Sequence, residues 1–212
     1  MDRNKCLAGK ISLYSKMTLA MALDYRLSVK SIRKPSEARL LYEPMRREIL
    51  RLLGKTPMTQ TQLAELLGLR TPTVGHHLSL LKSNGFVSVV HQQIGRHGIV
   101  EKYYGATAQL YFIDRKIMPL EVRRYYMPVD IERARGVLAC VMMRQKDFDP
   151  PSDMMEDFAE ALASNISRMA ARYEIPFVDK DPEAFIGRLY CEALVGVLKT
   201  DFKEIRDVLK AG

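Results

Sequence analysis

The stretch that most constrains this chain runs from Glu43 to Thr107, where three helix signals in close succession give way to strand period. Pro44 suits a first helical position, because the N–H it lacks would be unpaired there. Met45, Ile49, Leu52 and Leu53 recur at helical spacing, and Gly54 predicts the stop before a turn through Pro57. A second helix is predicted from Thr59 or Thr61, either of which can cap it, with Leu63, Leu66 and Leu67 inward. Gly68-Leu69 reads as a tight turn, Gly supplying the positive φ a helix end needs. A third helix follows, with Thr71 as predicted N-cap, Pro72 at its first position and Val74, Leu78 and Leu81 inward. It is expected to end at Asn84-Gly85.

Two helices joined by so short a turn are a helix-turn-helix. Beyond Gly85, Phe86 to Val90 is β-branched and aromatic, Gly95-Arg96-His97-Gly98 reads as a turn, and Ile99 to Tyr104 returns. A hairpin behind the third helix makes a two-stranded wing, and a winged helix-turn-helix reads duplex DNA. The outward face of the third helix carries Thr73, Gly75, His76, Ser79 and Lys82, which present hydrogen-bonding groups to base edges and phosphates. Gly75 costs about 1 kcal/mol of helix stability against Ala, a cost that fits a backbone brought close to a partner. Thr59, Gln60, Arg70 and Thr71, at the starts of two helices, join the predicted DNA contacts. Arg96 and His97 at the wing tip and Lys102 on the returning strand complete them.

The same residues resemble a family, the ArsR-type winged-helix transcriptional regulators of prokaryotes. The resemblance is carried by Arg46-Arg47, Ile49-Leu50 and Leu52-Leu53, and by the run Gln62-Leu63-Ala64-Glu65-Leu66-Leu67-Gly68-Leu69. It continues through Thr73-Val74-Gly75-His76-His77-Leu78, Leu80-Leu81, Gly85-Phe86-Val87 and Lys102-Tyr103-Tyr104. It implies a homodimer that binds a palindromic operator, usually as a repressor. The family usually has Ser where this chain has Gly75, so one hydroxyl contact is absent. Metal-sensing members carry a Cys-x-Cys pair near the recognition helix; Leu66 to Val74 contains no Cys, so that metal site does not carry over.

Charge is distributed unevenly. Residues 1–35 hold 8 Lys/Arg and 2 Asp/Glu, residues 36–107 hold 9 and 5, and residues 108–212 hold 16 and 18. The net +8 therefore sits in the front of the chain, with the DNA reader, ahead of a slightly acidic back. Residues 1–35 read as a basic arm touching phosphates, or as an extra element; Tyr25, Leu27 and Val29 alternate with polar residues as in a short strand. Cys6, Cys140 and Cys191 are too far apart for a disulfide framework or a ligand set. No apolar run reaches the roughly 18 residues of a membrane span. Met17 to Leu23 is too short for a signal segment, which predicts a cytoplasmic protein with no membrane partner.

Residues 108–212 read as mainly helical. Gln109 to Arg115 suggests a buried strand, Pro119 and Pro128 read as breaks, and Val129 to Arg144 suggests a helix with Val137, Leu138, Val141 and Met142 on one face. Asp147 to Pro151 reads as a linker. In the next predicted helix, Ser152 to Tyr173 with Ser152 as cap, Met155, Leu162 and Met169 interleave with Ala159, Ile166 and Tyr173. Together they form an apolar seam of about three heptads. That seam is either a dimer contact or an intramolecular packing face, and a reader of palindromic DNA favours the dimer. Further helices are expected from Asp181-Pro182 to Thr200 and after Asp201. The region can host a small-molecule effector, though no polar constellation names one.

Nothing in the sequence points to catalysis or a cofactor. It has no Gly-rich phosphate loop after a strand and no Gly-x-Ser-x-Gly. His76 and His77 are adjacent, so their side chains diverge by about 100° on a helix and cannot share one ion; His76 is expected to face DNA and His77 the edge of the core. The fold expected is therefore mainly α: a winged helix-turn-helix over 36–107 with a helical dimerisation or effector region after it. The function expected is a DNA-binding regulator. A winged-helix protein-interaction module, or a non-specific DNA-coating protein, is the alternative, since the fold alone does not decide.

Overall fold

The computed structural model describes residues 26–94, 98–144, 150–176 and 182–200, with 202, 205 and 207. Its contacts divide into two units. Among described residues the first holds 26–28, 39–94, 98–110 and 175–176; the second holds 29–38, 111–144, 150–174 and 182–200. The units interleave along the chain and do not follow the expected boundaries at 35/36 and 107/108. A strand β1 (Leu27–Ile32), a helix α1 (Pro35–Tyr42) and a strand β5 (Ala108–Ile113) each run from one unit into the other, and β1 pairs with β5. β1 occupies the place where the sequence alternates, so residues 27–32 are an element of the fold; residues 1–25 lie outside the described residues.

The first unit is built on local signals. Helix α2 (Pro44–Lys55) starts at Pro44 as expected. Its cap is Glu43, whose carboxylate accepts from the Met45 and Arg46 N–H groups at 3.2 and 3.0 Å, a favourable place for negative charge. It runs one residue past Gly54 and buries Ile49, Leu50 and Leu53. Helix α3 (Gln60–Leu67) is capped by Thr59, not Thr61, in a reciprocal box. The Thr59 hydroxyl accepts from the Gln62 N–H at 3.2 Å, and the Gln62 side chain accepts from the Thr59 N–H at 2.9 Å. It buries Leu63 and Ala64, while Leu66 is 37% exposed, against expectation; a helix this short turns only one narrow stripe inward. Gly68 ends it with φ 64°.

Helix α4 (Thr71–Ser83) begins at the predicted cap, one residue earlier than expected. Arg70 is the N-cap and makes no side-chain capping bond, so Thr71 already lies in the first turn. Val74, Leu78 and Leu81 are buried, as their spacing requires. The hairpin β3 (Val87–Ile94) and β4 (Val100–Ala106) follows. It is not a two-stranded wing alone: a two-residue strand β2 (Met58–Thr59) pairs with the other edge of β4, giving the antiparallel order β2-β4-β3. Two residues carry no readable period, which is why the third strand escaped the sequence.

In the second unit, a short 3-10 turn (Arg115–Ile117) precedes α5 (Leu120–Arg144), which continues through Pro128 instead of breaking there. Proline removes one helical hydrogen bond, and burial of Asp130, Ala134 and Leu138 holds the helix on. Helix α6 (Ser152–Ala170) has Pro151 as N-cap with no side-chain cap, so Ser152 opens the helix without capping it. A second 3-10 turn (Ala171–Tyr173) follows, then α7 (Pro182–Thr200). α6 packs against both α5 and α7. The seam residues Met155, Ala159, Leu162 and Ile166 are 1–6% exposed in the single chain, with Met169 and Tyr173 half-buried. The apolar seam is therefore largely covered inside the unit. Asp147, Asp181 and Asp201 lie outside the described residues. Among the described residues, no helix is long and apolar enough to cross a membrane.

Candidate nucleic-acid interface

Burial of Val74, Leu78 and Leu81 fixes the rotation of α4 and so decides what its other face offers. Thr71, Thr73, His76, Ser79 and Lys82 are all exposed. They recur mostly at intervals of three, a slowly turning stripe of hydroxyl, imidazole and ammonium groups. Arg70 is exposed at the head of the helix, where the absence of a side-chain cap leaves first-turn N–H groups for an outside acceptor. Lys102 is exposed on β4 opposite Gln92 of β3, also exposed. Arg70, Lys82 and Lys102 have no carboxylate partner among the described residues.

Three other cations of this unit have partners within the fold. The Arg46 Nε donates to the Leu40 carbonyl at 2.5 Å, Arg47 donates to the Leu41 carbonyl at 3.0 Å, and Arg51 pairs with Glu48. The Arg51 contact holds the Glu48 carboxyl below its ordinary range. The exposed cations of the segment thus include Arg70 at the head of α4, Lys82 near its end and Lys102 on the wing.

Three of the predicted DNA residues hold the reader together instead of facing outward. Thr59 is buried as the α3 cap. The Gln60 amide donates to the Thr71 carbonyl at 2.8 Å, tying the first turn of α3 to the first turn of α4. Gly75 lies beneath that amide: a Cβ there would come within 2.6 Å of the Gln60 Nε2. Within the chain, what comes close to Gly75 is Gln60. Arg96 and His97 lie outside the described residues.

His77 lies at the edge of the core, as expected. Burial pushes its imidazole below the ordinary histidine range; the Glu43 carboxylate, 3.9 Å from Nδ1, opposes that shift, and Arg46 and His76 add to it. The Nδ1 atom has no hydrogen-bond partner in the described structure. In the wing, Tyr103 of the Lys102-Tyr103-Tyr104 run is buried, and its hydroxyl accepts from the Gln93 side chain at 2.9 Å. Sequence reading missed one feature. Ile94, Ile99 and Val100, flanking the turn, are 79, 66 and 52% exposed, and only their position beside a turn, where strand pairing leaves one face bare, could have signalled it.

No curated protein matches this chain. Residues 43–89 match the profile of the family described as "Bacterial regulatory protein, arsR family". That span takes in Glu43, all three helices of the reader and the first residues of β3. Over it, the chain is similar to ArsR-type helix-turn-helix regulators, which supports a DNA-binding transcriptional regulator.

Proposed function

We propose that this protein is a sequence-specific transcriptional regulator that places α4 in the major groove of duplex DNA. The observation that carries this reading is the exposed polar stripe Thr73, His76 and Ser79 on a helix whose opposite face is locked by three buried aliphatics. Side chains of this kind can discriminate base edges. Arg70 at the head of α4, Lys82 near its end and Lys102 on the wing supply phosphate contacts, as do Arg96 and His97 by sequence. The uncapped start of α4 adds a phosphate site of its own. The protein acts as a homodimer on a palindromic operator and represses by occluding the promoter. Because the α6 seam is occupied internally, the two-fold contact lies on another surface. The exposed Tyr125 and Val129, one turn apart on α5, are the best-placed apolar pair for it.

The test is titration of the full chain with the DNA upstream of its own gene and with a scrambled duplex, across a salt series. A specificity ratio of about 10³ or more, with a steep salt slope, is the expected result. A second reading, a winged helix that binds protein, is favoured by the exposed Ile94, Ile99 and Val100. It predicts no duplex binding at physiological salt.

A further inference from the structure

The second unit carries an open cavity of about 590 Å³, in the range of small-molecule sites. Room for it comes from small residues, Ala161, Ser164 and Ala171 on one side and Gly196 on the other. Around it stand Arg33, Arg115, Lys116 and Arg168, against one lining carboxylate, Asp114.

The ion pairs are unevenly shared among these cations. Arg115 is buried; it pairs with Asp130 and lies 3.7 Å from Glu160. Arg33 pairs with Glu174 at 3.4 Å. Asp114 accepts the Lys116 backbone N–H at 2.9 Å, closing the 3-10 turn. Lys116 and Arg168 have no carboxylate partner among the described residues. Arg168 is nonetheless held in place. Its guanidinium donates to the Asn165 Oδ1, and Asn165, 5% exposed, donates through Nδ2 to the Ala193 carbonyl at 2.6 Å. A Cβ at Gly196 would overlap that amide, so the glycine lets α7 close on Asn165. A guanidinium fixed without a counter-charge, beside an ammonium and a partly apolar cavity, is arranged for a carboxylate or phosphate on a small body.

We propose that this cavity binds a small organic anion bearing a carboxylate or phosphate, and that the anion is the effector of the regulator. Only the second half rests on the DNA-binding reading. The test is calorimetric titration of the full chain at constant ionic strength with succinate, citrate, inorganic phosphate and adenosine monophosphate as separate probes. The protein is compared with Lys116→Gln/Arg168→Gln, both exposed positions, and with Arg135→Gln, away from the cavity. Saturable binding of at least one probe, weakened about tenfold or more in the double variant and unchanged in Arg135→Gln, is the expected result. The probe that binds tells carboxylate from phosphate. Binding of none, or equal binding by the double variant, overturns the site. With a bound probe saturating, affinity for the upstream duplex is expected to change by about fivefold or more in wild type only; binding without that change overturns the effector role.

Discussion

His76 and His77 are neighbours in sequence and opposites in environment. His76 projects from α4 to solvent, while His77 is half-buried near Glu43, with its imidazole held below the ordinary histidine range. A base whose folded pKa is depressed binds fewer protons when folded than when unfolded, so its contribution is full above the unfolded value, about 6.5, and lost as pH falls through and below it. Denaturant unfolding of wild type at pH 7.5 and pH 5.5 is expected to reveal lower stability at pH 5.5. His77→Gln is expected to flatten part of that slope, and an unchanged slope would remove the burial argument. At Gly75, Ala would gain about 1 kcal/mol of helix propensity while displacing the Gln60 amide from the Thr71 carbonyl, worth about 1 kcal/mol. Because Gln60 is flexible and can move, Gly75→Ala is expected to change stability by less than about 1 kcal/mol in chemical unfolding. A loss of several kcal/mol would mean that Gln60 is rigidly held. The cost of a glycine in this helix was legible; the Gln60 amide packed over it was not, because the contact joins two helices.

At the scale of elements, the reader was legible because its signals are local. Pro44, the Thr59/Gln62 box and Gly68 each act within a turn of their own position, and the inward set of α4 follows from period alone. Thr59→Ala is expected to cost about 1 kcal/mol, measurable by thermal unfolding, with α3 fraying first in hydrogen exchange. What failed were inferences that depend on distant partners. Pro128 did not break α5, since burial of the turns beyond it outweighs one missing bond. The heptad pattern of α6 was real, but periodicity reports an apolar face and not whose surface covers it. Leu162→Ala is therefore expected to destabilise the chain by about 2–5 kcal/mol while leaving its oligomeric state unchanged in light scattering. Dissociation without destabilisation would restore the seam as an interface.

For the whole molecule, the sequence places the positive charge at the front, but pairing decides which cations remain available. Arg46, Arg47 and Arg51 are committed to the fold, while Arg70, Lys82 and Lys102 are not paired with carboxylates among the described residues. The cavity of the second unit could not be read from sequence at all. Its walls come from residues between Arg33 and Val197, each ordinary where it stands in the chain. Lys82→Ala is expected to weaken binding to specific and scrambled duplex alike and to reduce the salt slope by about one unit. The measurement that tests the central claim most directly is binding of wild type and His76→Ala to the upstream duplex and to its scrambled counterpart. A base-reading His76 predicts a loss of about 1–3 kcal/mol on the specific duplex, confined to one base position, and no loss on the scrambled one. Equal losses on both would contradict the assignment of α4 as the reading helix.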